Sequence, residues 1–272
     1  MKLLTAILAL GLVASATCYE CKSTGNTEVT ANGEQSRNGQ FPHHALIVST
    51  FPDKKRYCSG AMVSRKFVIT VAQCVEGSSK IEVTLGAQCL LDGGDNKFRY
   101  KFTALEHFVR SGYNYETFEN DIALVKFTDD NIRLPPWIKP IELPEATEEH
   151  LHDQLLTSGY GMLNYDTTSA ADFLEFTQLT VLNHETCQQE FEFVTPESGR
   201  FCAQREEQEP NCVSDVGSPL VFKREGYKQY TLVGLTSFGQ KFACEKGNPG
   251  ALQEVSAHVE WIREIIGEAT EQ

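Results

Sequence analysis

The sequence predicts an all-β fold of short antiparallel strands that ends in one helix. Short runs that are apolar, or that alternate between apolar and polar residues, recur along the chain, separated by Gly, Pro, Asn, Asp and Ser. Val, Ile, Thr, Phe and Tyr are common in these runs, as they are in strands. Near the C-terminus the apolar spacing becomes helical, on Val255, Val259, Ile262 and Ile266.

The clearest strand candidates are the runs at 45–48, 67–71, 80–85, 122–127, 174–182 and 230–235. A proline-rich stretch from Leu134 to Pro144, followed by acidic residues, interrupts them. Proline cannot donate to a sheet ladder, so an exposed connection is expected near 134–150. It divides the chain into two halves with several strands each.

Residues 1–16 are typical of a signal peptide. Lys2 gives a basic start, the apolar run 3–13 is too short to span a bilayer, and small residues follow at 14–16. The alternative, a buried N-terminal helix, lacks a capping residue before the run. We expect a signal peptide at 1–16, a short segment at 17–28, one folded domain at 29–272, and an extracellular, secreted protein.

The formal net charge of −13 makes nucleic acid and anionic membranes unsuitable partners, because an acidic chain repels them.

Nine cysteines in an exported chain predict disulfides. Since nine is odd, at least one cysteine is left over or pairs with another molecule. No metal site and no cofactor are expected, and His43, His44, His107 and His184 are expected to be structural or solvated.

Three segments carry the strongest signal, and in chain order they read CSGAMVS (58–64) with FVITVAQC (67–74), NDIALV (120–125) and CVSDVGSPLV (212–221). Together they resemble the chymotrypsin/trypsin family of serine proteases, which carries His, Asp and Ser in these segments in that order. GQFPH (39–43), TSGYG (157–161) and TSFG (236–239) lie in matching places. The resemblance runs from about Val29 to Ile266 and implies two six-stranded antiparallel Greek-key barrels with a C-terminal helix.

The resemblance puts Gln73, Asp121 and Val216 at the three catalytic positions. A glutamine amide is neither acid nor base near neutral pH, and valine has no proton to lose. We therefore expect that the chain is not an enzyme. It would be a secreted serine protease homologue that binds a protease, an inhibitor or a protease substrate, as a regulator or decoy. The alternatives are weak or unrecognised serine endopeptidase activity and a structural secreted scaffold.

The same resemblance implies further site positions. Ser214 takes the oxyanion-hole position, and the former specificity pocket is expected at Pro210, Ser237, Phe238, Gly239 and Gly250. In active relatives a newly cut N-terminus pairs with the aspartate that precedes the serine. Here that pair would be Asp215 with Thr30 or Val29, and no basic residue precedes either candidate terminus.

The cysteines follow the family framework, which implies the disulfides Cys58–Cys74, Cys187–Cys202 and Cys212–Cys244. Cys18, Cys21 and Cys89 have no implied partner. Cys18 and Cys21 could pair locally, which would leave Cys89 free or available for an intermolecular disulfide.

Overall fold

The computed structural model describes residues 34–90, 98–128, 132–145, 154–162, 170–205, 215–223, 226, 229–238 and 249–268. The predicted signal peptide and the segment at 17–28 lie outside these residues. The strands are β1 (Glu34–Gln35), β2 (His44–Thr50), β3 (Lys55–Met62), β4 (Phe67–Thr70), β5 (Lys80–Leu85), β6 (Tyr100–Thr103), β7 (Glu106–Val109), β8 (Ala123–Lys126), β9 (Gln154–Gly159), β10 (Glu175–Val181), β11 (Arg200–Gln204), β12 (Pro219–Phe222), β13 (Thr231–Phe238) and β14 (Gly250–Glu254). The helices are α1 (His184–Glu190) and α2 (Val259–Glu268), with single 3-10 turns at Ala72–Cys74, Pro196–Ser198 and Ser256–His258.

The second half of the chain forms a closed barrel. Its sheet has the order β1-β10-β11-β14-β13-β12-β9, and β9 pairs with β10 as well, so six strands close on themselves and β1 lies outside the ring. Closure removes free edges from the ring. A cluster of buried apolar side chains from its strands includes Leu155, Leu179, Phe201, Leu220 and Leu252.

The first half forms a curled, open sheet with the order β6-β5-β2-β3-β4-β8-β7. The end strands β6 and β7 follow each other in the chain but do not pair with each other. The two backbone N–H groups of the turn between them donate to different strands. Ala104 N donates to the Ile81 carbonyl on β5, and Leu105 N donates to the Lys126 carbonyl on β8. The trypsin-like fold predicted from the sequence is confirmed, with one closed barrel and one half-barrel.

The predicted C-terminal helix is present, although it begins later than the apolar spacing indicated. Val255 precedes the 3-10 turn, and α2 starts at Val259. Val259 and Ile262 are buried against the body. The short helix α1 was not predicted. Its signal is Asn183, whose side chain accepts a hydrogen bond from Thr186 N as an N-cap, and it places His184 in a helix.

Two of the implied disulfides are confirmed. Cys58–Cys74 and Cys187–Cys202 have sulfur–sulfur distances of 1.93 and 1.82 Å. In the chain-entropy model each loop of this length contributes about 3 kcal/mol of stability. Cys212 and Cys244 lie outside the described residues, so their pairing stays a prediction.

Cys89 is disulfide-bonded, and its partner lies outside the described residues. Its thiol is therefore neither free nor available for an intermolecular disulfide in this structure, and the expectation that left Cys89 unpaired within the chain is wrong. No helix in the described part of the chain is long and apolar enough to cross a membrane.

Candidate functional site

The candidate site lies where the two halves of the domain meet, and Gln73 and Asp121 are its centre. Gln73 follows β4 in a 3-10 turn, and Asp121 lies just before β8. Gln73 Nε2 donates to Asp121 Oδ2 and, over 2.9 Å, to the carbonyl of Ser237 on β13. The Gln73 backbone N donates to Asp121 Oδ1 over 2.9 Å. The glutamine amide thus occupies the place next to Asp121 that the family resemblance assigned to histidine.

Asp121 is fully buried, and its surroundings are polar. Ser237 Oγ donates to Oδ2 over 2.5 Å, and the Asp121 backbone N donates to Gln253 Oε1 over 3.1 Å. Burial raises the pKa of this carboxyl, while the hydrogen bonds from Ser237 and Gln73 act in the opposite direction. At the position that the resemblance assigns to the orienting acid, the chain therefore has a buried carboxyl with hydrogen-bond donors in place.

Val216 lies in a tight turn from Asp215 to Ser218, immediately before β12. Ser218 Oγ accepts a hydrogen bond from Asp215 N over 2.8 Å, and Ser218 N donates to the Asp215 carbonyl over 3.0 Å. The Val216 carbonyl accepts from Ser59 N on β3 over 2.9 Å. The half-buried Val216 side chain packs against the large core cluster, so this position of the turn is apolar.

Gly217 is required by the geometry of this turn. Its φ is +84°, and a Cβ here would lie 2.2 Å from the Ser59 carbonyl oxygen and 2.5 Å from Thr70 Oγ1. The Ser59 oxygen belongs to a central strand and cannot move away without disturbing the sheet. Only glycine therefore fits between the turn and β3.

We predict that Gly217→Ala destabilises the protein by about 3 kcal/mol or more, because the added methyl meets backbone in a conformation that L-residues avoid. The matched control is Gly77→Ala, since Gly77 has a φ of +75° but open space around a Cβ. It isolates the backbone strain, at about 1 kcal/mol. Denaturant unfolding of both variants measures the difference. Equal losses for the two would show that the contact with Ser59 is absent.

Asp215, the first residue of the turn, is completely buried. Its Oδ1 accepts from Met162 N over 2.6 Å, and its Oδ2 accepts from Tyr160 N over 3.0 Å and from Ser59 Oγ over 2.6 Å. Burial raises the pKa of Asp215 to about 6, and the hydrogen bond from Ser59 is the largest opposing influence. Thr30 and Val29, the predicted terminal partners, lie outside the described residues.

The structure brings together three of the residues expected at the former specificity pocket. Ser237 and Phe238 end β13, Gly250 begins β14, and Phe238 pairs with Ala251 in the ladder between these strands. The Ser237 hydroxyl donates to Asp121, and the Ser237 carbonyl accepts from Gln73. Pro210 and Gly239, together with the oxyanion-hole position Ser214, lie outside the described residues, and their roles stay predictions.

A group of phenylalanines beside Ser237 was not predicted. We call Phe118, Phe191, Phe193 and Phe238 the phenylalanine cluster. The Phe238 ring stacks on Phe118 with centroids 5.1 Å apart, and it contacts Phe191 and Phe193 at 5.4 and 5.3 Å. Phe193 is 45% exposed, so the cluster reaches solvent. Sequence reasoning missed it because Phe118 and Phe193 come from loops far apart in the chain.

Arg200 forms hydrogen bonds with both of the loops that carry Phe118 and Phe193. Its guanidinium donates to the carbonyls of Thr117 and Phe193 over 2.9 and 2.8 Å and lies 5.2 Å from the centre of the Phe193 ring. Phe118 and Asn120, with φ of 54° and 52°, are the non-glycine residues of the described chain with positive φ. Such backbone strain concentrates at functional sites. The cluster and Asp121 are thus parts of one constrained region.

Comparisons with known proteins agree with the fold and extend over nearly the whole domain. The family profile described as Trypsin matches residues 30–262. A collagenase of Hypoderma lineatum is 27% identical over 240 residues, covering 87% of this chain and 86% of the relative. Chymotrypsin-2 of Vespa crabro is 27% identical over 231 residues, covering 85% and 97%. A solved collagenase structure superposes with a TM-score of 0.72 at 25% identity, covering 87% of this chain and 98% of that one.

These findings contradict the expectation that the chain is not an enzyme. That expectation depended on the residue types at Gln73 and Val216, whereas the family match spans the domain and relatives of similar length are named as proteases. The structure also contains a histidine within a polar network. His44 Nε2 lies 3.2 Å from Ser59 Oγ, which donates a hydrogen bond to Asp215 Oδ2. The predicted replacements at Gln73 and Val216 would change the chemistry of the site, but they are not positive evidence of inactivity.

Proposed function

Because the chain belongs to the trypsin family of serine proteases, we propose that it is a secreted protein that recognises an extended polypeptide segment beside the candidate site. The observation that carries this proposal is the phenylalanine cluster. Aromatic side chains supply large contact areas at low entropic cost, and they are enriched where proteins bind one another. A partly exposed cluster on constrained loops is therefore a suitable receptor for an apolar side chain of the bound polypeptide.

The strand next to the cluster supports the same proposal. On the β12 side, β13 is paired up to Leu235, and the Thr236 backbone exchanges hydrogen bonds with Gly217 and Ser218. Phe238 lies beyond the end of β12 and pairs with β14. Among the described residues, no strand lies along the other side of Phe238. An added extended segment can use such an edge by β-augmentation, with its side chains reaching the cluster.

The setting that we propose is an extracellular proteolytic system, in which the partner is a protease, an inhibitor or a protease substrate. Disulfides such as Cys58–Cys74 and Cys187–Cys202 persist in oxidising compartments, which supports secretion. By binding such a partner the protein would act as a regulator or decoy. Its acidic charge of −13 favours partners with basic surfaces.

We predict that Phe193→Ala weakens binding of a fluorescein-labelled unfolded casein by about 5- to 50-fold, as expected for loss of an aromatic anchor. Fluorescence anisotropy measures the affinity, and the mass of the casein afterwards shows whether it was cut. The control is Leu105→Ala, because Leu105 is 54% exposed and lies in the turn between β6 and β7 of the other sheet. Equal affinities of the two variants would reject the phenylalanine cluster as the binding surface.

A second candidate function is serine-type hydrolysis, which the names of the matched relatives favour. It would require a nucleophile other than Val216. Treatment of the wild-type protein with a fluorophosphonate, followed by peptide mass analysis, identifies any activated serine. A labelled serine would establish hydrolysis and name the residue, whereas an unlabelled chain with intact casein binding would leave recognition as the function.

A further inference from the structure

Four buried side chains form a continuous line of hydrogen bonds behind the candidate site. His44 Nδ1 lies 3.0 Å from Ser158 Oγ, and His44 Nε2 lies 3.2 Å from Ser59 Oγ. Ser59 Oγ donates in turn to Asp215 Oδ2 over 2.6 Å. All four residues are buried, and they come from β2, β3, β9 and the 215–218 turn. The line therefore joins both halves of the domain.

The direction of each hydrogen bond follows from the number of available protons. The Ser59 hydroxyl has one proton, which it gives to the Asp215 carboxylate, so it must accept from His44 Nε2–H. A neutral imidazole with its proton on Nε2 has an acceptor at Nδ1, which takes the proton of the Ser158 hydroxyl. Burial favours this neutral form, since it lowers the pKa of His44 to about 3.

We propose that Ser59, backed by His44 and Ser158, is the positioning residue that stabilises the Asp215 carboxylate in the uncut chain. The 215–218 turn, which carries Val216, is then formed without a newly cut N-terminus. This inference is independent of the proposed function, because it concerns how the site is built and not what it binds.

Ser59 is suited to this role because it contacts the turn at three points. Its backbone N donates to the Val216 carbonyl over 2.9 Å, its hydroxyl donates to Asp215, and its carbonyl lies directly under Gly217. Thr70 Oγ1 donates to the same Ser59 carbonyl over 2.8 Å and holds it in place. A buried carboxylate is costly unless hydrogen bonds satisfy it. Together with Tyr160 N and Met162 N, Ser59 supplies these hydrogen bonds from within the folded chain.

The first test is stability of the full, uncut chain, verified by intact mass. Ser59→Ala removes a charge-assisted donor to Asp215 and is expected to lower the folded-to-unfolded ratio roughly 10- to 100-fold. Ser49→Ala is the matched control, because the buried Ser49 hydroxyl on β2 has no hydrogen-bond partner among the described residues. We expect a change of less than about threefold there. Equal effects of the two substitutions would overturn the proposal.

The second test does not depend on whether Ser59→Ala folds. Histidine labelled with 15N reports the tautomer of each ring by NMR, and the His44 signals are assigned by their absence in His44→Gln. At about pH 7.5 we expect wild-type His44 to be neutral with its proton on Nε2, and to lose that single preference in Ser59→Ala. A proton on Nδ1, or an imidazolium, in the wild-type protein would reverse or break the line of donors and overturn the proposal.

Discussion

The double variant Gln73→His/Val216→Ser is expected to hydrolyse an activated peptide ester about 10³-fold or more faster than the wild-type chain. The acid is already in place, because Asp121 is buried and accepts from Ser237 Oγ and from the backbone N of residue 73. An imidazole at this position would have its orienting partner. Serine on the turn would then have a base to take its proton.

Each single substitution is expected to leave the rate near that of the wild-type chain, because the members of a catalytic triad act as a unit. Val216→Ser alone adds a hydroxyl without an imidazole beside it, and Gln73→His alone adds a base without a nucleophile. Values of kcat/KM for the four proteins test this. A large gain from Val216→Ser alone would show that another group serves as base. A double variant no faster than the singles would show that the rest of the site is not arranged for hydrolysis.

The second large effect expected is loss of stability in acid, caused by buried histidines. Burial lowers the pKa values of His43 and His44 to about 3 and that of His258 to about 4. In the unfolded chain these rings take up protons near their ordinary pKa of about 6.5, so the folded state loses stability as the pH falls below that value. At about pH 4.5, His43 and His44 each cost about 2–3 kcal/mol.

Asp215 acts in the opposite direction. Because its folded pKa is raised to about 6, its contribution is most favourable at low pH and is lost as the pH rises from about 4 to about 6. It offsets about 2 kcal/mol of the histidine effect at about pH 4.5. The combined cost of His43 and His44 exceeds the offset from Asp215, so we expect the folded protein to lose stability in acid.

His43→Phe tests this expectation directly. The His43 ring already packs edge-on against Phe41 and Tyr230, and its Nε2 has no hydrogen-bond partner among the described residues. Phenylalanine preserves the packing and cannot titrate, so the stability lost between pH 7 and about pH 4.5 should shrink by about 2–3 kcal/mol. The exposed His107→Gln is the control. An unchanged pH dependence in His43→Phe would mean that His43 titrates normally in the folded protein. Urea unfolding at each pH provides the measurement.

Much of the architecture could be predicted from the sequence, because the signals are local. Alternating apolar residues and turn formers specify short antiparallel strands, and each strand candidate overlaps an observed strand. The placement of Gln73 beside Asp121 followed from motif order. The half-barrel and helix α1 were not foreseen, since they depend on the hydrogen bonding of Ala104 and Leu105 and on a single capping side chain, Asn183.

The sequence by itself determined the class of fold, the family and two loops closed by disulfides, and it predicted which residues take the three catalytic positions. The tertiary structure alone decided which distant groups meet. Ser59 and Asp215 are separated by 156 positions, and Gln73 and Ser237 by 164. The alternation of buried and exposed side chains along a strand can be recognised from neighbouring residues in the sequence. The contacts named above form only when two separate sheets pack together. For that reason the buried line through His44, and the cluster around Phe238, became visible only in the folded chain.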